Sequence, residues 1–152
     1  YYHLECQMHN DRDMVIRMVA YDLHFAMPHT TSGEQNLDGL VMRFPRSAVI
    51  YPEKNSRIPD VLRCRIIFQD GSEHIYQIPT VRIQSYSLEE IQEKHLNLFL
   101  PYVLLRLRPR LNPERKFPLT KNELTAFVDK VMIILKDEVE QGYLTERNMT
   151  IM

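Results

Sequence analysis

Hydrophobic and polar residues alternate from Tyr1 to Gln7, with Tyr2, Leu4 and Cys6 on one side and His3, Glu5 and Gln7 on the other. That period of two predicts a strand. After Asn10 and Asp11, either of which can cap a helix, the period changes. Val15, Met18, Val19, Leu23 and Ala26 form a stripe at helical spacing, and the predicted helix runs to about Met27, where Pro28 stops it. Asp13, Arg17, Tyr21 and His24 share its opposite face. Residues 28–46 are less regular: Thr30-Thr31-Ser32-Gly33 is loop-like, and Leu40-Val41-Met42 fits a turn of helix or a strand. Ala48 to Tyr51 predicts a short buried strand ending at Pro52, and Glu53-Lys54-Asn55-Ser56 a polar loop. Leu62 to Phe68 and His74 to Ile78 flank Asp70-Gly71, which predicts a hairpin with Leu62, Cys64, Ile66 and Phe68 turned inward. Val81-Arg82-Ile83 can lengthen its second strand past Pro79.

Two capping boxes mark later helices. Ser87 with Glu90 opens one predicted to run through Leu104 or beyond, kinked at Pro101. Its middle, Leu96 to Leu105, is apolar nearly all round, which predicts deep burial or a subunit interface and hence a homo-oligomer through that helix. Thr120 with Glu123 opens the last long helix, striped by Leu124, Phe127, Val128, Val131, Leu135 and Val139 and ended by Gly142. The order of strand, helix, several strands and two helices places the chain in the α/β class.

Composition narrows the function only by exclusion. At 152 residues the chain is one domain or most of one, and its 44% apolar and 26% charged residues are those of an ordinary globular protein. A net charge of −1 gives no bulk basic field for nucleic acid. Arg106, Arg108 and Arg110, followed by Arg115-Lys116, are a local basic patch, or a basic helix end favoured by the helix dipole. Cys6 and Cys64 fit no disulfide framework or zinc spacing, and the alternation of Cys6 away from Glu5 assigns it a core role. No signal-peptide pattern or membrane-length apolar run is present, so a cytoplasmic location is expected. The chain starts without Met, which fits a piece of a longer protein. HExxH, P-loop, dinucleotide-binding and Gly-x-Ser-x-Gly motifs are all absent.

Two constellations carry candidate chemistry. Glu5 and Gln7, two apart on a strand, converge on one point: the carboxylate can ligate Mg²⁺, and the amide can orient a water or bind a phosphate oxygen. The plain alternative is a solvated strand face. On the helix that follows, Arg17 can hold a phosphate bidentately and Tyr21 can position a water or a phosphate; the alternative is a solvated face with an Asp13–Arg17 ion pair. Adjacency favours function, because a short turn sets the first turns of the helix beside the end of the strand.

The blocks Tyr2-His3-Leu4-Glu5-Cys6-Gln7, Asp11 to Met14, Ile16-Arg17-Met18-Val19-Ala20-Tyr21-Asp22, Ile78-Pro79, Ser87-Leu88-Glu89-Glu90-Ile91 and Leu100-Pro101-Tyr102 occur in an order that resembles the PD-(D/E)XK nuclease superfamily, in its bacterial transposase-like, recombination-promoting nuclease branch. The resemblance implies a restriction-endonuclease-like mixed sheet flanked by helices. It implies a partial nuclease core over residues 1–110, lacking the first helix and the Asp-bearing strand, and a C-terminal helical extension over 111–152. It also implies hydrolysis of DNA phosphodiesters with Mg²⁺ or Mn²⁺. On it, Glu5 matches the metal-binding acid, Gln7 the lysine position of the (D/E)-x-K motif, and Arg17 and Tyr21 the helix that braces the scissile group. The motif Asp belongs to a strand before Tyr1, so the chain is expected to be inactive as it stands. The alternative is a catalytically degenerate member that binds DNA or self-associates.

Overall fold

The structure, a computed structural model, describes residues 1–32, 39–53, 57–112, 114 and 116–151. The chain forms two compact units, one of Tyr1–Tyr51 with Asn55–Val81 and one of Pro52–Lys54 with Arg82–Met152. The boundary expected near residue 110 falls within the second unit. Most of the polar loop expected at 53–56, and Gly33, lie outside the described residues.

The first unit contains β1 (Tyr2–Cys6), α1 (Met14–Ala26), β2 (Thr31–Ser32), β3 (Leu40–Val41), β4 (Arg46–Tyr51), β5 (Val61–Ile67) and β6 (Glu73–Arg82). Four of the strands form a sheet in the order β1-β4-β6-β5, while β2 and β3 make a separate antiparallel pair. β1 runs parallel to β4, with Tyr2 opposite Arg46 and Cys6 opposite Ile50; β5 and β6 are antiparallel. The class is therefore mixed α/β with a mixed sheet. A parallel pair needs a long crossover, and α1 lies within it.

α1 buries Met14, Val15, Met18, Asp22 and Ala26, and its methionines share one core cluster with Val49, Tyr51, Leu62 and Ile78. The stripe expected through Val19 and Leu23 is rotated, leaving Leu23 exposed and Asp22 inside. Asp13 is the N-cap residue, and the Asp11 carboxylate accepts the Asp13 N–H at 2.9 Å, a local Asx turn ahead of the helix.

The two faces of β1 are the reverse of what a core role for Cys6 requires. His3, Glu5 and Gln7 are half-buried on the core side, whereas Tyr2, Leu4 and Cys6 are exposed. β1 is an end strand, and the apolar anchors of this layer, Val49 and Tyr51, belong to its neighbour β4. The polar row of β1 can therefore lie at the rim of the core. The hairpin forms as expected. Gly71 adopts φ +82°, its N–H donates to the Phe68 carbonyl at 3.0 Å, and the second strand continues through Pro79 to Arg82. Leu62 is buried and Cys64 partly so, but Phe68 lies past the end of β5 and is exposed.

The second unit is helical. Both capping boxes form, Ser87 with Glu90 ahead of α2 (Leu88–Glu93) and Thr120 with Glu123 ahead of α4 (Lys121–Glu140). The single helix expected through Leu104 does not occur. His95 takes a left-handed φ of +51°, and the chain continues as a 3-10 turn (Asn97–Phe99), the short α3 (Leu100–Val103) and a second 3-10 stretch (Leu104–Arg110). Pro101 sits in the first turn of α3, where its missing N–H costs nothing, so it starts a helix instead of kinking one. Phe99, Leu100 and Val103 are buried within the chain, whereas Leu98, Tyr102 and Leu104 of the same run are exposed, so the run is partly core and is not a continuous helix. On α4 the buried positions are Val131, Ile134, Leu135 and Glu138, while Leu124 and Val128 of the expected stripe are exposed. Gly142, at φ +82°, follows the end of α4, and α5 (Glu146–Ile151) comes after it.

Of the basic run, Arg106, Arg108 and Arg110 are engaged inside this unit, and Arg115 lies outside the described residues. Arg106 donates to Gln84 Oε1 at 2.9 Å and to the Tyr86 carbonyl, Arg108 pairs with Glu53, and Arg110 with Glu123 at 2.7 Å. Among the described residues no helix is long and apolar enough to cross a membrane.

Candidate functional site

β1 presents His3, Glu5 and Gln7 on the side that faces α1. The strand ends at Cys6, and the Gln7 N–H still donates to the Ile50 carbonyl at 2.9 Å, so Gln7 leaves the sheet beside Tyr51 at the carboxyl ends of β1 and β4. Such ends are where ligands gather in open α/β sheets. Arg17, one turn into α1, points its Nη2 to Gln7 Oε1 at 3.4 Å and to Asp11 Oδ2 at 3.2 Å. The expected meeting of strand amide and helix guanidinium therefore occurs. The ion-pair partner of Arg17 is Asp11, not Asp13 one turn back on its own helix.

Two buried donors at this edge lack partners among the described residues: Arg17 Nε and the Tyr51 hydroxyl. Tyr51 is fully buried. Its phenol is pushed above the ordinary value by burial first and by the Asp11 charge second, with Arg17 opposing. An unsatisfied buried donor costs roughly 1–3 kcal/mol. Two of them at one edge form an environment that an oxyanion or a water would satisfy.

Glu5 lies one step back along β1, opposite Val49, half-buried and without a hydrogen-bond or ion-pair partner among the described residues. It is a free carboxylate between Gln7 and His3. Tyr21 is not at the Gln7 end; it is 45% exposed and its ring lies 6.0 Å from that of His3. The four expected residues thus divide, with Gln7 and Arg17 at one end of the face, Tyr21 at the other and Glu5 between.

The His3 end holds a constellation that periodicity did not reveal. The Asp22 carboxylate, 1% exposed, is met by His3 Nδ1 at 2.7 Å, by the Ser47 hydroxyl at 2.7 Å and by the Tyr76 hydroxyl. His3, Ser47 and Tyr76 come from β1, β4 and β6, so one side chain of α1 ties three strands together. Burial, and then the hydrogen bond to Asp22, hold the Tyr76 phenol well above the ordinary tyrosine range, which keeps its proton in place as a donor. The carboxylate fixes the His3 proton on Nδ1 and leaves Nε2 as the free ring nitrogen. The sequence did carry a signal: Met14, Met18, Asp22 and Ala26 form an i, i+4 row, and a carboxylate in an apolar row must find donors.

Mg²⁺ takes oxygen ligands in near-octahedral array and is commonly held by one or two carboxylates together with substrate phosphates. Here Glu5 is a carboxylate of this face with no partner among the described residues. Asp11 is paired with Arg17 and accepts the Asp13 N–H, and the oxygens of Asp22 are filled by three donors. Among the described residues no group of three His, Cys, Asp or Glu side chains is placed to hold a metal ion. The residues present do not by themselves fit the ion, and no chemical step is assigned to it. Cys6 is no nucleophile for this face: it points away, and desolvation followed by the Glu5 charge raises its thiol above the ordinary value. No family model, curated protein or solved structure matches this chain.

Proposed function

We propose that the β1–α1–β4 face recognises a DNA phosphodiester, as the phosphate-handling part of a metal-dependent endonuclease-like domain of transposase-related type. The observation that carries this reading is the Gln7–Arg17 contact at 3.4 Å beside a free, half-buried Glu5. Arg17 supplies positive charge and planar donors for a phosphate oxygen. Gln7 cannot take a proton, so its role is to hold Arg17 and orient a water or a phosphate oxygen. Glu5 is the ligand or base that hydrolysis requires, and it needs at least one more carboxylate from another segment to complete a metal site.

With no metal-holding group of side chains around Glu5 among the described residues, binding without turnover is the reading we favour for this chain on its own. The test is plasmid binding in EDTA and plasmid nicking in Mg²⁺ and in Mn²⁺, by this chain beside its Glu5→Ala and Arg17→Gln variants. The expected result is plasmid binding without nicking, with roughly a tenfold or greater fall in affinity in Arg17→Gln. Metal-dependent nicking unchanged by Glu5→Ala would overturn the assignment.

A further inference from the structure

An open groove in the first unit lies at the end of β1 opposite to Gln7. Its volume is about 830 Å³, within the range of small-ligand sites. Its walls combine two chemistries. Tyr1, Tyr2 and Phe44 supply aromatic faces that are 80%, 76% and 42% exposed. Arg43 and Arg46 supply positive charge, and neither has a carboxylate partner among the described residues. Among the described residues no Asp or Glu lines the groove. Arg106, Arg108 and Arg110 of the second unit are engaged by carboxylates and carbonyls, so these two arginines differ from them in being available.

The rings are held from behind. Tyr1 lies edge-on to Phe25 at 5.2 Å and tilted to His29 at 5.1 Å, and those two rings stack on each other at 4.7 Å. His29 Nδ1 donates to the Phe25 carbonyl at 2.8 Å, which fixes that ring on the last turn of the helical segment. Phe44 meets the edge of Tyr76 at 6.2 Å, and Tyr76 is locked by Asp22. Arg43 is oriented by Thr31 Oγ1 at 3.0 Å, and the Arg46 backbone N–H by the Tyr1 carbonyl at 3.0 Å. Flat aromatic faces beside unpaired guanidinium groups suit a ligand with flat π surfaces and regularly spaced negative charge. Unstacked nucleotides have both. A duplex hides its base faces, and an acidic peptide offers the charge without the rings.

We propose that this groove binds single-stranded nucleic acid, with bases stacked on Phe44 and the Tyr1 and Tyr2 rings and phosphates held by Arg43 and Arg46. The inference rests on the nucleic-acid reading above and deepens it by naming the form of the strand. β1 links the two places. From Tyr2 to Gln7 is roughly 16 Å at about 3.3 Å per residue, so a strand anchored in the groove reaches the Gln7–Arg17 edge within a few nucleotides.

The experiment is fluorescence anisotropy with a labelled oligothymidine of roughly 12 nucleotides in EDTA, titrated at salt concentrations from about 50 to 200 mM. EDTA removes cleavage from the readout. The expected result is salt-sensitive binding that is tighter than to a duplex of equal length or to polyglutamate. The Arg43→Gln/Arg46→Gln variant should flatten the log–log salt slope by about 1.4, and Phe44→Ala should weaken binding by about fivefold or more. Photocrosslinking the unmodified protein to a bromouridine oligonucleotide, followed by peptide mapping, should place adducts on Tyr1, Tyr2 or Phe44 whether or not the variants fold. No binding at low salt, equal or tighter binding of duplex or polyglutamate, unchanged affinity in folded variants, or adducts elsewhere would each overturn the proposal. Absence of oligothymidine binding together with Arg17-dependent binding of a plasmid would sink this inference and leave the earlier one standing.

Discussion

Asp22 in the first unit and Glu138 in the second are both sealed from solvent, and each is met by the Nδ1 of a histidine that stays partly exposed. Their surroundings differ. Asp22 is filled by donors from three strands, one on Oδ1 and two on Oδ2. Glu138 accepts from Asn97 Nδ2 at 2.8 Å and meets His95 at 3.1 Å, two residues of one loop. The Asn97 Oδ1 beside it is buried with no partner among the described residues. A buried carboxylate is tolerated where its lone pairs are filled. Asp22 therefore crosslinks a helix to a sheet, whereas Glu138 ties α4 to one earlier bend, which includes the left-handed His95 and its stack on Tyr143 at 3.5 Å. Both are ties over long sequence separation, but one spans three strands of a sheet and the other holds a single bend.

The sharpest way to break this comparison is to remove both carboxylates in turn. Asp22→Ala strands three donors and should cost on the order of 3–5 kcal/mol in urea unfolding. Glu138→Ala strands two and should cost less, about 2–3 kcal/mol. A Glu138→Ala loss equal to or larger than that of Asp22→Ala would reverse the ranking. Tyr76→Phe deletes one donor while keeping the ring, so about 1–2 kcal/mol is expected, with Phe44 losing the fixed support behind it. If Tyr76→Phe proves neutral, Ser47 and His3 alone satisfy Asp22.

The smallest effect concerns an exposed carboxylate, where solvent takes the role that buried donors play elsewhere. Arg110, then the Thr120 backbone and hydroxyl, hold the Glu123 carboxyl down at about 2. A folded value below the ordinary glutamate value of about 4.3 means that its contribution is complete above that pH and is lost as pH falls toward 2. Acid titration of helicity should therefore show an extra loss between those limits that Glu123→Gln lacks. Identical acid limbs in the two proteins would show that the Arg110–Glu123 pair adds nothing to the cap.

What was legible in the sequence was local. Asp70-Gly71 dictates its hairpin, and Ser87 with Glu90 and Thr120 with Glu123 dictate their caps, because each partner lies within a few residues. The Gln7–Arg17 contact was legible for the same reason, since a short turn leaves a helix little choice of position. Which face of β1 turns inward was not. Alternation defines two faces, and the choice between them rests on Val49 and Tyr51 of a strand far along the chain. Asp22 was hidden because its partners are spread over β1, β4 and β6. The long apolar run misled because tertiary packing buries Phe99, Leu100 and Val103 from short 3-10 and α turns, while the left-handed His95 interrupts a single helix.

The parallel pairing of β1 with β4 also bears on how the chain reaches its native state. Tyr2 must find Arg46, and Cys6 must find Ile50, across the whole of α1 and the β2–β3 hairpin. The β5–β6 hairpin closes around its own turn in microseconds, but pairing at long sequence separation carries a loop-closure entropy that slows it. During synthesis β1 precedes β4, and until Arg46–Tyr51 has left the ribosome its backbone has no strand of this sheet to pair with, while Tyr2 and Leu4 stay open to solvent. A nascent chain paused in that interval carries an unpaired apolar edge, which is the state that chaperones bind and that aggregation begins from.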